Sequence, residues 1–132
     1  MTNSTDTVKK STFKSDTDTE KLIDAIKEGL LEKKGVDILI LDVRGLTTLT
    51  EYFIVCSGTS ETQIRALANS VTENTKKELG ESVWKQEGMD ARRWIILDYV
   101  NVVVHIFNEE KRNFYGIERM WNDAEITEVV DS

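Results

Sequence analysis

The side chains that most often carry out nucleophilic or proton-transfer chemistry are scarce in this sequence. Among 132 residues there is one histidine, His105, and one cysteine, Cys56. A Ser-His-Asp hydrolase would have to use His105, which lies inside an apolar strand pattern, and the sequence has no Gly-x-Ser-x-Gly nucleophile elbow. Cys56 ends another apolar run, so we predict a small buried filler rather than a nucleophile. Such a composition also excludes a zinc site built from several His and Cys ligands, and an internal disulfide.

The segment Gly-Thr-Ser at residues 58–60 is the other candidate for chemistry, because it stands between a predicted strand and a predicted helix. Backbone amides and the helix dipole converge at such a turn and can hold a phosphate. A nucleotidyltransferase begins with a similar turn, but it needs two carboxylates one residue apart on the next strand to hold metal ions. The next predicted strand, residues 82–87, has no such pair, and Asp42 and Asp98 lie in separate motifs. We therefore favour a helix cap, with a nucleotide-binding enzyme of nucleotidyltransferase type as the alternative.

The charge balance restricts the kind of partner. Seventeen Lys and Arg against 24 Asp and Glu leave a net charge of −7. This balance argues against a groove that binds nucleic acid, so we predict no direct DNA binding, whereas a basic protein partner is compatible with it. No apolar run approaches the roughly 18 residues of a membrane span, and the first residues lack the apolar core of a signal peptide. Together with a free thiol and no disulfide, these features predict a cytoplasmic protein.

The distribution of apolar residues predicts one domain with polar ends. Residues 1–19 are dominated by Thr, Ser, Asp and Lys, which predicts a disordered tail. The domain is predicted to span residues 20–122, and residues 123–132 are predicted to be a short acidic tail.

Within the predicted domain, helical spacings alternate with short apolar runs typical of strands. Ser60 and Gln63 match a capping box at the start of one helix. The predicted elements, in order, are a helix over residues 20–35 capped by Asp18 or Thr19, strands over residues 38–41 and 52–56, a helix over residues 60–80, a short edge strand over residues 82–87, a hairpin of residues 94–98 and 101–107, and a helix after Asn108 with Phe114, Ile117 and Trp121 on one side.

The hairpin separates two faces of different composition. Pairing across a two-residue turn at Tyr99 and Val100 places Trp94 opposite His105. One face is then wholly aliphatic and suits packing against helices. The other face comprises Trp94, Ile96, Val103, His105 and Phe107. Its mixture of aromatics and histidine indicates a binding surface, with burial under a second layer of helices as an equally weighted alternative.

Five segments, taken in order, form a recognisable pattern. They are DVRGL at 42–46, EYFIVCSGTS at 51–60, WIILDY at 94–99, VVVHIF at 102–107 and YGIERMW at 115–121. Together they resemble the ribosomal silencing factor family, also called RsfS or Iojap. Val100 and Asn101 depart from the family pattern, which usually has Gly and Asp there. The resemblance implies an α/β fold with a mixed sheet of about five strands and helices, of nucleotidyltransferase-like topology but without the catalytic carboxylates.

The resemblance also implies a function. Members of the family bind the large ribosomal subunit through its ribosomal protein fourteen, at the face that meets the small subunit, and prevent subunit joining when nutrients are short. This implies a translation repressor that is not an enzyme and needs no cofactor. We predict that Trp94, Tyr99, His105 and Phe107 form the partner-binding patch, since aromatic side chains contribute a large share of interface affinity. Formation of a homodimer through the same face is a further alternative.

Overall fold

The computed structural model describes residues 16–130, which form one mixed sheet with helices. The helices are α1 (Asp16–Glu32), α2 (Glu61–Leu79), α3 (Glu109–Tyr115) and α4 (Ile117–Met120). The strands are β1 (Val36–Asp42), β2 (Tyr52–Ser57), β3 (Lys85–Glu87), β4 (Trp94–Asp98), β5 (Val102–Phe107) and β6 (Glu125–Glu128). They lie in the order β3-β4-β5-β2-β1-β6, with β2 and β5 parallel and the other neighbours antiparallel. The predicted mixed α/β fold is confirmed, with one more strand than expected.

Helices α1 and α2 pack against one face of the sheet. They approach each other closely at Gly29, where an added Cβ would lie 2.9 Å from the Cα of Val71. The Ser70 hydroxyl donates a hydrogen bond to the Gly29 carbonyl at 2.8 Å across this contact. The aliphatic hairpin face is buried in the same core through Ile95, Leu97, Val102, Val104 and Ile106, so the prediction that it packs against helices is confirmed. No helix within residues 16–130 is long and apolar enough to cross a membrane.

The turn before α2 is closed by hydrogen bonds within the protein. The Ser60 hydroxyl accepts from the backbone N–H of Gln63 at 3.0 Å, which confirms the predicted cap. The Gln63 side chain reaches one residue further back than a standard capping box, where its oxygen accepts from the Thr59 N–H at 2.6 Å. Its amide group donates to the carbonyls of Lys33 and Lys34, both at 3.1 Å. One glutamine therefore joins the ends of α1 and α2.

The first helix begins earlier than predicted. α1 starts at Asp16, so the boundary between tail and domain near residue 20 is wrong, and neither Asp18 nor Thr19 is the cap. Thr19 is buried inside the helix, and Asp16 and Asp18 place negative charge in its first turn, which stabilises the positive end of the helix dipole. The rest of the predicted tail, residues 1–15, lies outside the described residues.

The opposite end of the chain also differs from its prediction as an acidic tail. Within residues 123–132, the segment β6 pairs antiparallel with β1, and Ile126 lies opposite Leu41. The edge of β1 offers unpaired backbone groups, and an added strand satisfies them. The end of the chain thus extends the sheet.

The hairpin of β4 and β5 has a register that differs from the prediction. Trp94 pairs with Phe107, which lies two residues beyond the predicted partner His105. The turn is centred on Val100 and Asn101, one residue later than expected. A shift by an even number of residues leaves every side chain on its predicted face, so the two faces are as predicted although their pairing is not.

Val100 at this turn has a strained backbone. Its φ of 76° lies in a region that β-branched residues rarely occupy. The strain is held by two hydrogen bonds, one from the Val100 N–H to Asp98 Oδ1 at 2.7 Å and one from the Asn101 N–H to the Tyr99 carbonyl at 2.9 Å. The second bond closes a γ-turn with Val100 at its centre.

We expect Val100→Gly to raise the free energy of unfolding by about 1 kcal/mol, because glycine adopts positive φ without steric cost and this gain exceeds the added entropy of the unfolded chain. The midpoint of urea unfolding measures the change. Val102→Gly, a matched substitution within β5, should lower the midpoint instead. An unchanged or lower midpoint for Val100→Gly would show that the turn is not strained.

Candidate partner-binding surface

The second face of the sheet carries seven aromatic rings in continuous contact, which we call the aromatic cluster. Its members are Phe53, Trp94, His105, Phe107, Phe114, Tyr115 and Trp121. Trp94 lies at its centre, with ring centroids 4.3 Å from Tyr115, 4.9 Å from Phe107 and 5.8 Å from His105. Because these rings come from β2, β4, β5 and the segment of α3 and α4, only the folded sheet brings them together.

Three of the four predicted patch residues belong to this cluster. Within the cluster, the side chains of Phe107 and His105 are buried and that of Trp94 is half-buried. Tyr99 lies apart, in the core under α1 and α2, where its hydroxyl shares a hydrogen bond of 2.8 Å with the Thr75 hydroxyl. Burial raises the pKa of Tyr99 to about 12. Trp94, His105 and Phe107 are therefore neighbours, whereas Tyr99 packs with the helices.

The most exposed members of the aromatic cluster come from α3. Phe114 is 74% exposed and Tyr115 is 41% exposed, and their rings meet edge to face at 5.0 Å. The prediction that Phe114, Ile117 and Trp121 lie on one side of a single helix is wrong, because the helix ends at Gly116, whose φ is 59°. A glycine following Tyr115 is a sequence signal for a helix end that could have located this break. Part of the aromatic face is thus covered by α3 and α4, and part is open.

A hydrogen bond joins Trp94 and His105 within the aromatic cluster. The indole Nε1–H of Trp94 donates to Nδ1 of His105 at 3.0 Å. Burial lowers the pKa of His105 to about 4, so the ring is neutral at physiological pH and Nδ1 is free to accept. The proton of the neutral ring therefore lies on Nε2.

His105 should make stability depend on pH. Its pKa is lower in the folded chain than the ordinary 6.5 of an unfolded histidine, so its contribution is complete above pH 6.5 and is lost as the pH falls towards about 4. We expect this residue to remove about 2 kcal/mol of unfolding free energy between pH 7 and pH 5. Urea unfolding at both pH values measures it. Between these pH values, the unfolding free energy of His105→Leu should fall by about 2 kcal/mol less than that of the wild type. An equal fall in the two proteins would contradict the expectation.

Arg112 fixes α3 to the sheet. Its guanidinium is 7% exposed, donates through Nη1 to the Ser57 hydroxyl at 2.7 Å and donates through Nε to Glu118 Oε2 at 3.1 Å. Lys111 and Arg112 form a short basic pair of a kind that usually lies on a solvated face, but the Arg112 side chain turns inward from α3. These contacts join α3 and the start of α4 to the end of β2.

A cavity of about 550 Å³ opens beside residues 58–60, at the ends of β2 and β5. Among the described residues that line it, one cation faces four carboxylates, namely Arg112 against Asp37, Glu109, Glu118 and Glu128. This excess of negative charge opposes the binding of a triphosphate. Asp42 is also engaged elsewhere, because Arg44 pairs with it at 2.8 Å and holds the pKa of its carboxyl below the usual range.

Cys56 lies at the end of β2 under the helices. It is fully buried, and burial raises the pKa of its thiol to about 12. A thiol in this environment stays protonated and unreactive at neutral pH. The prediction of a small buried filler is confirmed.

The chain resembles known proteins over most of its length. The family model described as "Ribosomal silencing factor during starvation" (RsfS) matches residues 16–132. The chain is 37% identical over 98 residues to the ribosomal silencing factor RsfS of Bacillus subtilis, a match that covers 74% of this chain and 82% of that protein. It is 30% identical over 101 residues to a mouse protein named "Mitochondrial assembly of ribosomal large subunit protein 1", covering 75% of this chain and 44% of that one.

A solved structure shares both the fold and the sequence pattern. The crystal structure of a protein from Chromobacterium violaceum superposes with a TM-score of 0.75 at 35% sequence identity, covering 85% of this chain and 92% of that one. The family match includes the strands and the α3–α4 segment that together form the aromatic cluster. On this evidence the chain belongs to the ribosomal silencing factor family.

Proposed function

We propose that this protein binds the large ribosomal subunit through its ribosomal protein fourteen and sterically blocks association with the small subunit, which represses translation under nutrient limitation. The observation that carries the proposal is the aromatic cluster, which leaves Trp94, Tyr115 and Phe114 accessible on a chain of this family. One of these rings lies on the sheet and two lie on α3 beside it, and aromatic side chains supply contact area at low entropic cost. The proposed contact surface therefore consists of these three rings, with His105 and Phe107 beneath them.

The net charge supports a protein partner over bare RNA. At −7, the chain would be repelled by phosphates and attracted to the basic surfaces that ribosomal proteins generally carry. Such attraction raises the association rate and weakens with salt. The name of the mouse relative, which refers to assembly of the large ribosomal subunit, supports the same subunit as the partner. Since the proposed partner is a ribosomal subunit, we place the protein in the cytoplasm.

We propose a binding protein rather than an enzyme. The turn at residues 58–60 is closed by its own cap, and carboxylates outnumber cations in the lining of the neighbouring cavity. The competing hypothesis is a nucleotide-binding enzyme of nucleotidyltransferase type. Isothermal titration with magnesium and a nucleoside triphosphate separates the two, because clear stoichiometric binding would favour the enzyme.

The blocking mechanism is tested by subunit association in the presence of the protein. Purified large and small subunits are mixed at a magnesium concentration that promotes joining, and light scattering follows the formation of the complete ribosome. The proposal expects joining to decrease as the protein is added before mixing, and to do so without consumption of any nucleotide. Full joining at saturating protein would contradict the mechanism, even if the protein binds the large subunit.

A further inference from the structure

His105 is buried at the centre of β5, where its own exposed surface is small. The imidazole lies between two phenyl rings, with centroids 5.4 Å from Phe53 and 5.9 Å from Phe107, and it stacks nearly parallel to the second at 11°. Its rotation is restricted by these neighbours. A ring enclosed in this way is poorly placed to contact a partner, but it can fix the orientation of a neighbouring side chain.

The Trp94 indole is the group that His105 can hold. It is half-buried at the start of β4, where it stacks on Phe107 at 25° and meets Tyr115 at a tilt of 42°. Apolar ring contacts fix the direction of a ring less sharply than a hydrogen bond does. The bond of 3.0 Å from Trp94 Nε1–H to His105 Nδ1 is therefore the directional contact of this indole.

We infer that His105 is a positioning residue, which orients Trp94 for the partner through this hydrogen bond and does not itself contact the partner. The inference deepens the proposed function and rests on it, because affinity for the large subunit is the property that the orientation would serve. The neutral state of the buried imidazole keeps the acceptor available at the pH of the cell.

The inference makes His105 and Trp94 act as one unit. Removal of the acceptor by His105→Leu should free the indole and weaken binding to large subunits about fivefold, the effect of one lost hydrogen bond. His105→Asn should restore most of the affinity, since its side-chain oxygen occupies a position equivalent to Nδ1, one bond beyond Cγ. In a Trp94→Ala background, His105→Leu should cause no further loss, because nothing remains to be oriented.

The experiment combines a measurement on the protein alone with a binding measurement. Nuclear magnetic resonance of the ¹⁵N-labelled chain reports the Trp94 indole N–H, which we expect to exchange slowly in the wild type and in His105→Asn and rapidly in His105→Leu. Sedimentation with large subunits gives the affinities of the same proteins. Trp94→Phe keeps a ring but removes the N–H donor and leaves His105 intact. Its affinity for large subunits should also fall about fivefold. This variant replaces His105→Leu in the test if His105→Leu does not fold.

The outcomes distinguish this inference from the proposed function. Wild-type affinity in His105→Leu or Trp94→Phe would overturn the positioning role while leaving large-subunit binding in place. A further loss on adding His105→Leu to Trp94→Ala would overturn it as well, since His105 would then act independently of the indole. If the wild-type chain itself does not bind large subunits, the proposed function is overturned and the positioning role with it.

Discussion

Trp94→Ala should weaken binding to the large ribosomal subunit by about thirtyfold or more, the loss typical of an aromatic residue at the centre of an interface. Trp94 is half-buried, lies at the middle of the aromatic cluster and contacts Phe107, Tyr115 and His105. Truncation removes its own contact area and leaves the neighbouring Tyr115 ring without support. Quantitative sedimentation of large subunits with increasing amounts of protein measures the change in affinity.

Trp84 offers a matched control for this substitution. It is also a tryptophan and is 68% exposed. It lies beside Asp98, which ends β4, whereas Trp94 begins that strand. We expect Trp84→Ala to bind as the wild type does, and the circular dichroism spectra of both variants to match that of the wild type. Equal affinities for the two variants, or loss of fold in Trp94→Ala alone, would remove Trp94 from the proposed contact surface.

Arg112→Ala should lower the free energy of unfolding by about 3 kcal/mol, the low end of the scale for breaking a buried ion pair, because Arg112 is buried and Glu118 is only partly buried. The substitution leaves the Glu118 carboxylate and the Ser57 hydroxyl without the donors at 3.1 Å and 2.7 Å. It also detaches α3 from the end of β2, so the support of Tyr115 beneath the partner should weaken. Urea unfolding measures the stability loss, and sedimentation with large subunits measures the affinity.

A double substitution separates the loss of the ion pair from the loss of packing. Arg112→Met with Glu118→Leu replaces both charges by apolar side chains, so no buried charge remains unpaired and most of the stability should return. Lys111 provides the less buried comparison, because it is the neighbouring basic residue on α3 and is only partly buried. Lys111→Ala should change stability by less than about 0.5 kcal/mol. If Arg112→Ala were as mild as Lys111→Ala, Arg112 would not be holding α3.

Local patterns in the sequence predicted those features of the fold that depend on nearby residues. Ser60 caps its helix as expected, and Asn108 caps the helix predicted to follow it; both side-chain oxygens accept from residues three positions later. The unbroken apolar runs at residues 38–41 and 52–56 became β1 and β2, which lie inside the sheet, because such runs suit strands that are covered on both faces. Strand alternation assigned the two hairpin faces correctly even though the register was wrong by two residues.

The remaining features depend on contacts between distant parts of the chain. Burial of Arg112 requires Ser57, which lies far away in sequence and meets it only through the parallel pairing of β2 and β5. Pairing of β6 depends in the same way on the open edge of β1. Neither Arg112 nor β6 carries a local signal of its role. Tyr99 does carry one, because it continues the alternation of Ile95 and Leu97 on the helix-facing side of β4, where its hydroxyl meets Thr75.

The most direct test of the proposed function is sedimentation of the purified chain with separated large and small ribosomal subunits at two or more salt concentrations. We expect the protein to sediment with large subunits only, and its affinity to fall as salt rises, since an acidic chain is attracted to a basic ribosomal protein. Failure to sediment with large subunits, or equal sedimentation with both subunits, would contradict the proposal that this protein recognises the joining face of the large subunit.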